Sequence, residues 1–361
     1  MKTRGGRLMP TIRFFLSLWL VLSLTSLSGL AAETRGVLVS VEQLSTLDAK
    51  HLSQAGLNTL VVKASEGGEP DVDAVKQLQT VQAEGIEVAL WIEVARDPAL
   101  ATEHPEWMAS IQGHPEWRRF YPEFPELKEG QVVKVFPWVP IAYREAFAAQ
   151  LQKVERILVE WPYAKRIFLN DLQGAPSACG CGHPLCRWTT DYGPIKTATA
   201  LGADFAARFV QSVKALRADL DVVPVWATEG EEGDKPGLCA GVGCYCGACW
   251  REWTAQLEPL AAESDTIGAL LLESTFQRKD IGPSWLSEIG KTFQTMPERY
   301  QRAGVPVERL LAVIEGWQPD HGAGFVRQLG LLQKAGIGSF VVAQTQIDQR
   351  WEPKVFNLPE K

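Results

Sequence analysis

Eight short apolar runs restrict this chain's fold most narrowly. Each ends in polar or charged residues, and a segment of helical periodicity separates it from the next. They lie at residues 36–40, 57–64, 86–93, 166–171, 221–228, 266–273, 310–315 and 339–344. Arg166-Ile-Phe-Leu-Asn-Asp171 shows the pattern: apolar residues, then an amide, then a carboxylate. Continuous rather than alternating hydrophobicity marks strands buried on both faces, as in parallel sheets covered by helices. The first helix is signalled by Ser45-x-x-Asp48 and stops near Gly56, and the second covers 72–84 and ends at Gly85. Further helical periodicity covers 141–161, 197–216, 249–262, 283–301 and 322–335, while the tail at 347–361 is too polar and proline-broken for a full helix. This alternation predicts a (β/α)8 barrel, with an open doubly wound sheet as the competing arrangement. Pro224 counts against a regular fifth strand, because proline removes a ladder donor.

Residues 1–32 stand apart from that alternation. Lys2, Arg4, Arg7 and Arg13 form a basic start, 14–27 an apolar stretch, and Gly29-Leu-Ala31-Ala32 a small-residue cleavage site. This is the pattern of a secretory signal peptide, and the apolar stretch is short for a membrane span. An uncleaved anchor is the alternative, and no cysteine marks a lipoprotein site. Residues 33–361 are then expected to form a single barrel domain in a secreted or periplasmic protein, with no stable membrane anchor after cleavage. The leader carries those four cations and no acid, so its removal takes the formal net charge from −7 to −11. An acidic surface without a basic run is a poor partner for nucleic acid or anionic membrane. A long insertion at 94–140 carries His-Pro-Glu-Trp twice, at 104–107 and 114–117, too few copies for a repeat architecture.

In a parallel barrel the carboxyl ends of the strands build the mouth. The tips here supply Lys63, Trp91, Glu93, Asn170, Asp171, Trp226, Glu229, Glu273, Glu315, Trp317, Gln344 and Gln346. An ionised carboxylate at the end of an apolar run needs a partner or solvent, so several together imply a polar cavity. The competing explanation is that each merely caps the following helix. Glycosidic hydrolysis uses two carboxyl groups, one protonating the leaving oxygen and one attacking or activating water, and crowding keeps one of them protonated. Asp171 and Glu315 are the pair this pattern favours. Trp91, Trp226 and Trp317, with Trp107, Trp117, Phe120, Tyr121 and Trp138 of the insertion, offer flat faces for sugar rings or packing for the insertion itself.

Asn170-Asp171 and Glu315 together resemble clan A glycoside hydrolases, barrels with Asn-Glu ending strand four and Glu ending strand seven. The resemblance implies that Asn170 contacts a sugar hydroxyl, Asp171 is the acid/base and Glu315 the nucleophile. Glu93, Trp91, Lys63, Trp226, Trp317 and Gln344 would complete the substrate site. Asp171 stands where that family has Glu and is one methylene shorter. Retaining chemistry needs carboxyls about 5 Å apart, so the shorter arm favours a wider, inverting geometry, or makes Glu273 or Glu93 the working partner.

All seven cysteines fall in two loops, Cys179-x-Cys181-x4-Cys186 with His183 inside it, and Cys239-x4-Cys244-x-Cys246-x2-Cys249. Export favours disulfides, yet an odd number leaves one thiol over if every bridge is internal. Four-ligand zinc sites fit equally: Cys239, Cys244, Cys246 and Cys249 in one, Cys179, Cys181, His183 and Cys186 in the other. Cys244-Tyr-Cys246-Gly-Ala-Cys249 resembles the zinc motif of family 42 β-galactosidases, which implies structural zinc. In that family the cluster follows strand four, whereas here it follows strand five. No organic cofactor motif, H-E-x-x-H, Walker or G-x-S-x-G sequence is present. The functional expectation is a secreted glycoside hydrolase acting on an oligo- or polysaccharide. The alternative is a non-catalytic barrel that binds carbohydrate or metal.

Overall fold

The apolar runs become eight parallel strands in a computed structural model that describes residues 33–65, 72–108, 137, 139, 141, 144–172, 198–227, 250–271, 289–316, 324–343, 354, 356 and 357. The strands are β1 (Arg35–Ser40), β2 (Thr59–Lys63), β3 (Glu87–Glu93), β4 (Arg166–Asn170), β5 (Asp221–Ala227), β6 (Ile267–Leu271), β7 (Leu310–Glu315) and β8 (Ser339–Ala343). Each pairs with its sequence neighbours and β8 returns to β1, so the sheet closes on itself as a (β/α)8 barrel and the doubly wound alternative is excluded. Closure leaves no exposed edge.

Helices join the strands: α1 (Ala49–Gln54), α2 (Val72–Ala83), α3 (Pro98–Glu103), α4 (Arg144–Glu160), α5 (Ala198–Leu216), α6 (Trp250–Glu263), α7 (Ile289–Arg302) and α8 (Gly324–Lys334). No described helix is long and apolar enough to cross a membrane. Between β1 and α1 the capping chemistry differs from the expected Ser45–Asp48 box. Gln43 Oε1 accepts from Ser40 N at 2.8 Å over a 3₁₀ turn at Val41–Thr46, and Asp48 itself caps α1 by accepting from His51 N at 3.0 Å. Within the insertion, Asp97 accepts from Leu100 N at 3.0 Å with Pro98 behind it, which starts α3. The first His-Pro-Glu-Trp copy forms a 3₁₀ turn in which His104 and Trp107 stack at 3.7 Å.

Side-chain alternation sorts the core into two layers. Val61, Ala89, Trp91, Phe168, Val223, Val225, Leu311, Val313 and Val341 fill the bore, while Val62, Leu90, Ile167, Val222, Ile314 and Val342 belong to the shell against the helices. Gly36 and Gly268 let the bore close: a Cβ on either would meet Val341 Cγ2 or Val225 Cγ2 at 3.0 Å. Pro224 is tolerated because the missing donor falls where β5 passes from pairing β4, through Asp221–Pro224, to pairing β6 from Val225. At the amino-terminal end, Arg166 gathers three partners. Its Nε donates to Asp221 Oδ2 at 2.6 Å, and its Nη1 lies 3.1 Å from Thr34 Oγ1 and 3.3 Å from Glu87 Oε2.

Candidate functional site

Strands β3 and β4 lie side by side with Glu93 opposite Asn170, and β2 places Lys63 beside Trp91. Because Ala89 and Trp91 face the bore, the same alternation turns Glu93 inward at the carboxyl end, where its carboxylate is only 18% exposed. Three donors address it. Trp91 Nε1 donates to Oε1 at 3.1 Å, Asn170 Nδ2 donates to Oε2 at 2.8 Å, and Lys63 Nζ stands 3.3 Å from Oε1. Trp91 also stacks on Phe168 at 6.0 Å, closing the bore beneath the carboxylate.

Asp171 follows directly with φ of 59°, a left-handed backbone that Asp and Asn enter more readily than most residues. That turn brings its carboxyl into hydrogen-bond contact with Glu93. Asp171 keeps some solvent contact, yet protein surrounds it. Burial, then the Glu93 charge and the shared hydrogen bond, push its pKa well above the ordinary aspartate range, against a weaker pull from Arg96 and Lys63. Burial also pushes Glu93 upward, but its bond from Asp171, the Lys63 charge and the Asn170 and Trp91 donors together hold it below the ordinary range. Of the two, Asp171 is therefore the group that holds a proton more strongly, with Glu93 as the acceptor of their hydrogen bond.

The backbone under this pair is fixed from α4. Lys153 Nζ donates to Glu93 O at 2.9 Å, Val94 O at 3.2 Å and Asp97 Oδ2 at 2.9 Å. Lys153 and Asp97 are 11% and 10% exposed, and Gln150 Nε2 reaches the same Asp97 oxygen at 3.5 Å. The Lys153 ammonium and the helix-capping bonds outweigh burial and lower Asp97. Sequence reasoning missed Lys153, although a signal was there. It occupies the apolar stripe of α4, with Ala146, Val154 and Ile157, where a lone cation needs a buried partner.

The structure thus brings together Lys63, Trp91, Glu93, Asn170 and Asp171 of the expected site. Glu315 ends β7 on the bore side, after Leu311 and Val313, and is 6% exposed. Trp226 is placed differently from the expectation. Val223 and Val225 take the inward positions of β5, so Trp226 sits 1% exposed in the shell, away from the mouth. Trp91 is likewise buried inside the bore, where it serves Glu93 as a donor. Glu273, Trp317 and Gln344 lie outside the described residues, as do Cys179, Cys181, His183, Cys186, Cys239, Cys244, Cys246 and Cys249. Among the described residues no group of three or more His, Cys, Asp or Glu side chains could hold a metal ion.

No protein-family model matches the sequence, and no curated protein matches it. Solved structures do resemble the fold, and those described next are glycoside hydrolases. An alpha-L-fucosidase isoenzyme from Paenibacillus thiaminolyticus is 12% identical, with a TM-score of 0.50 over 90% of this chain and 48% of its own. A beta-galactosidase from Marinomonas ef1 is 13% identical, with a TM-score of 0.47 over 88% of this chain and 55% of its own. The glycoside hydrolase domain of PelA from Pseudomonas aeruginosa is 11% identical, with a TM-score of 0.43 over 87% of this chain and 95% of its own. This chain spans about half the length of the first two. At such identity the likeness is one of fold.

Proposed function

We propose that the chain is an exported glycoside hydrolase whose proton donor is Asp171. The observation that carries this reading is the hydrogen-bonded Glu93–Asp171 pair at the carboxyl end of the barrel. A carboxylic acid that holds its proton near neutrality can protonate a departing glycosidic oxygen. Proton transfer leaves two adjoining anions, and Lys63 beside Glu93, with Arg96 near Asp171, offsets the added charge. Two carboxyls in direct contact are too close to flank a glycosidic bond. The second catalytic carboxylate must therefore come from another strand, and Glu315 at the end of β7 fills that role, attacking the anomeric carbon or activating a water. Water supplies the hydroxyl added there and the proton that restores Asp171. In this reading the cysteine loops hold structural zinc, since four-ligand sites with three or four thiolates leave no open position for catalysis. A metal-to-protein ratio near zero would remove that assignment.

The test is release of new reducing ends from a panel of oligosaccharides, followed by mass spectrometry. Asp171→Asn and Glu315→Gln should each lower turnover by about 10²–10⁴-fold while ligand binding persists. Full activity in Asp171→Asn would overturn the donor assignment. A second reading, a barrel that binds carbohydrate without cleaving it, draws on the same contact, because Glu93 already occupies the Asp171 proton. Saccharide binding by the wild type with no product on prolonged incubation would favour it.

A further inference from the structure

A cavity of about 960 Å³ opens beside Glu93 of the acid pair, between the tips of β2 and β3 and the flank of α4. That volume lies within the range of small-molecule sites, roughly 300–1,000 Å³. Ile92, Ala149 and Ile157 give it apolar surface, and Lys63, Glu93 and Arg96 stand along its wall. Most of the lining charges are matched locally: Lys63 faces Glu93, Lys153 faces Asp97, and Glu103 lies 3.8 Å from His104. Arg96 is exposed and has no carboxylate within ion-pair distance among the described residues. Arg156 lines the same space from α4. In a chain of net charge −7, an exposed guanidinium beside the carboxyl pair, with no ion-pair partner among the described residues, is matched by a negative charge on a ligand.

We propose that this cavity binds a saccharide bearing a carboxylate, a hexuronate unit, with the Arg96 guanidinium gripping that carboxylate. The proposal rests on the glycan reading above and names its substrate class. The planar guanidinium fork matches a carboxylate through two parallel hydrogen bonds, which a neutral hydroxymethyl group cannot accept with the same strength. Seating the anion also changes the acid pair. Arg96 pulls the Asp171 carboxyl toward ionisation. A bound carboxylate cancels that pull, so the ligand that needs the proton tightens the hold of Asp171 on it.

The experiment is calorimetry on the mature protein with trimers of glucuronate, galacturonate and mannuronate, each beside its carboxyl-reduced neutral counterpart. At least one acidic trimer should bind about tenfold or more tightly than its neutral form, the difference shrinking as salt rises. Arg96→Gln should remove most of that preference, and Arg96→Lys, which keeps the charge and loses the fork, only part of it. Circular dichroism checks that the variants remain folded, and the wild-type comparison stands without them. Equal or tighter binding of the neutral trimers overturns the proposal, and if they are cleaved the hydrolase reading survives alone. Preference for an acidic trimer without any product sustains the proposal and removes hydrolysis. Failure of every trimer to bind overturns the proposal, and the oligosaccharide panel above then decides hydrolysis by itself.

Discussion

Glu93 and Asp171 differ in what a change of pH takes from them. The raised pKa of Asp171 means that its bound proton stabilises the fold fully below the ordinary aspartate range, and that this contribution is lost as pH rises through the raised value. Glu93, held low, contributes above the ordinary glutamate range and loses its contribution as pH falls through the lowered value. The pair is therefore most stabilising in the window between the two. Glu93→Gln removes the neighbouring anion while burial remains. Asp171 should then titrate lower than in the wild type, yet still above an ordinary aspartate. Carbon-13 NMR of the carboxyl groups reads this directly, and the alkaline limb of the rate profile should move to lower pH with it. An unmoved Asp171 titration would break the coupling. Part of this was visible beforehand, since both residues end apolar runs. Their contact was not, because it depends on the left-handed turn at Asp171, which an Asn-Asp sequence permits without requiring.

The link between β3 and α4 is the element-level counterpart. Lys153 holds two carbonyls at the end of β3 and the carboxylate that caps α3, so one side chain ties strand, insertion helix and covering helix. Lys153→Met would leave Asp97 buried without its cation and two carbonyls without a donor. Denaturant unfolding should show a loss of about 3 kcal/mol, and replacing both members of the pair, in Asp97→Asn with Lys153→Met, should cost less than the sum of the single changes. Additive losses would mean that the pair does not act as a unit. The strands and covering helices were legible in the sequence because burial on both faces and a 3.6-residue stripe are local signals. The insertion was not, since α3 rests on a single Asp-Pro start and its partner Lys153 comes from a helix more than fifty residues later. Trp226 failed for a related reason: its facing depends on β5 register, which its apolar neighbours on both faces do not reveal.

Across the whole molecule, closure depends on small residues as much as on large ones. A Cβ at Gly268 would come within 3.0 Å of Val225 Cγ2 and 3.3 Å of Val225 Cα, so the backbone of β5 would have to move as well. Gly268→Val should cost about 1–3 kcal/mol by thermal or denaturant unfolding, in a single cooperative transition shared with the rest of the barrel. A neutral effect would mean that the bore has slack there. Closure was readable from eight repeats of one pattern, whereas the two glycines that permit it look like any others in the chain. The stacked Trp91 and Phe168 lie directly below Glu93, and Arg166 with its partners occupies the far end. The bore is therefore packed among the described residues, and a polymer cannot be threaded along the barrel axis.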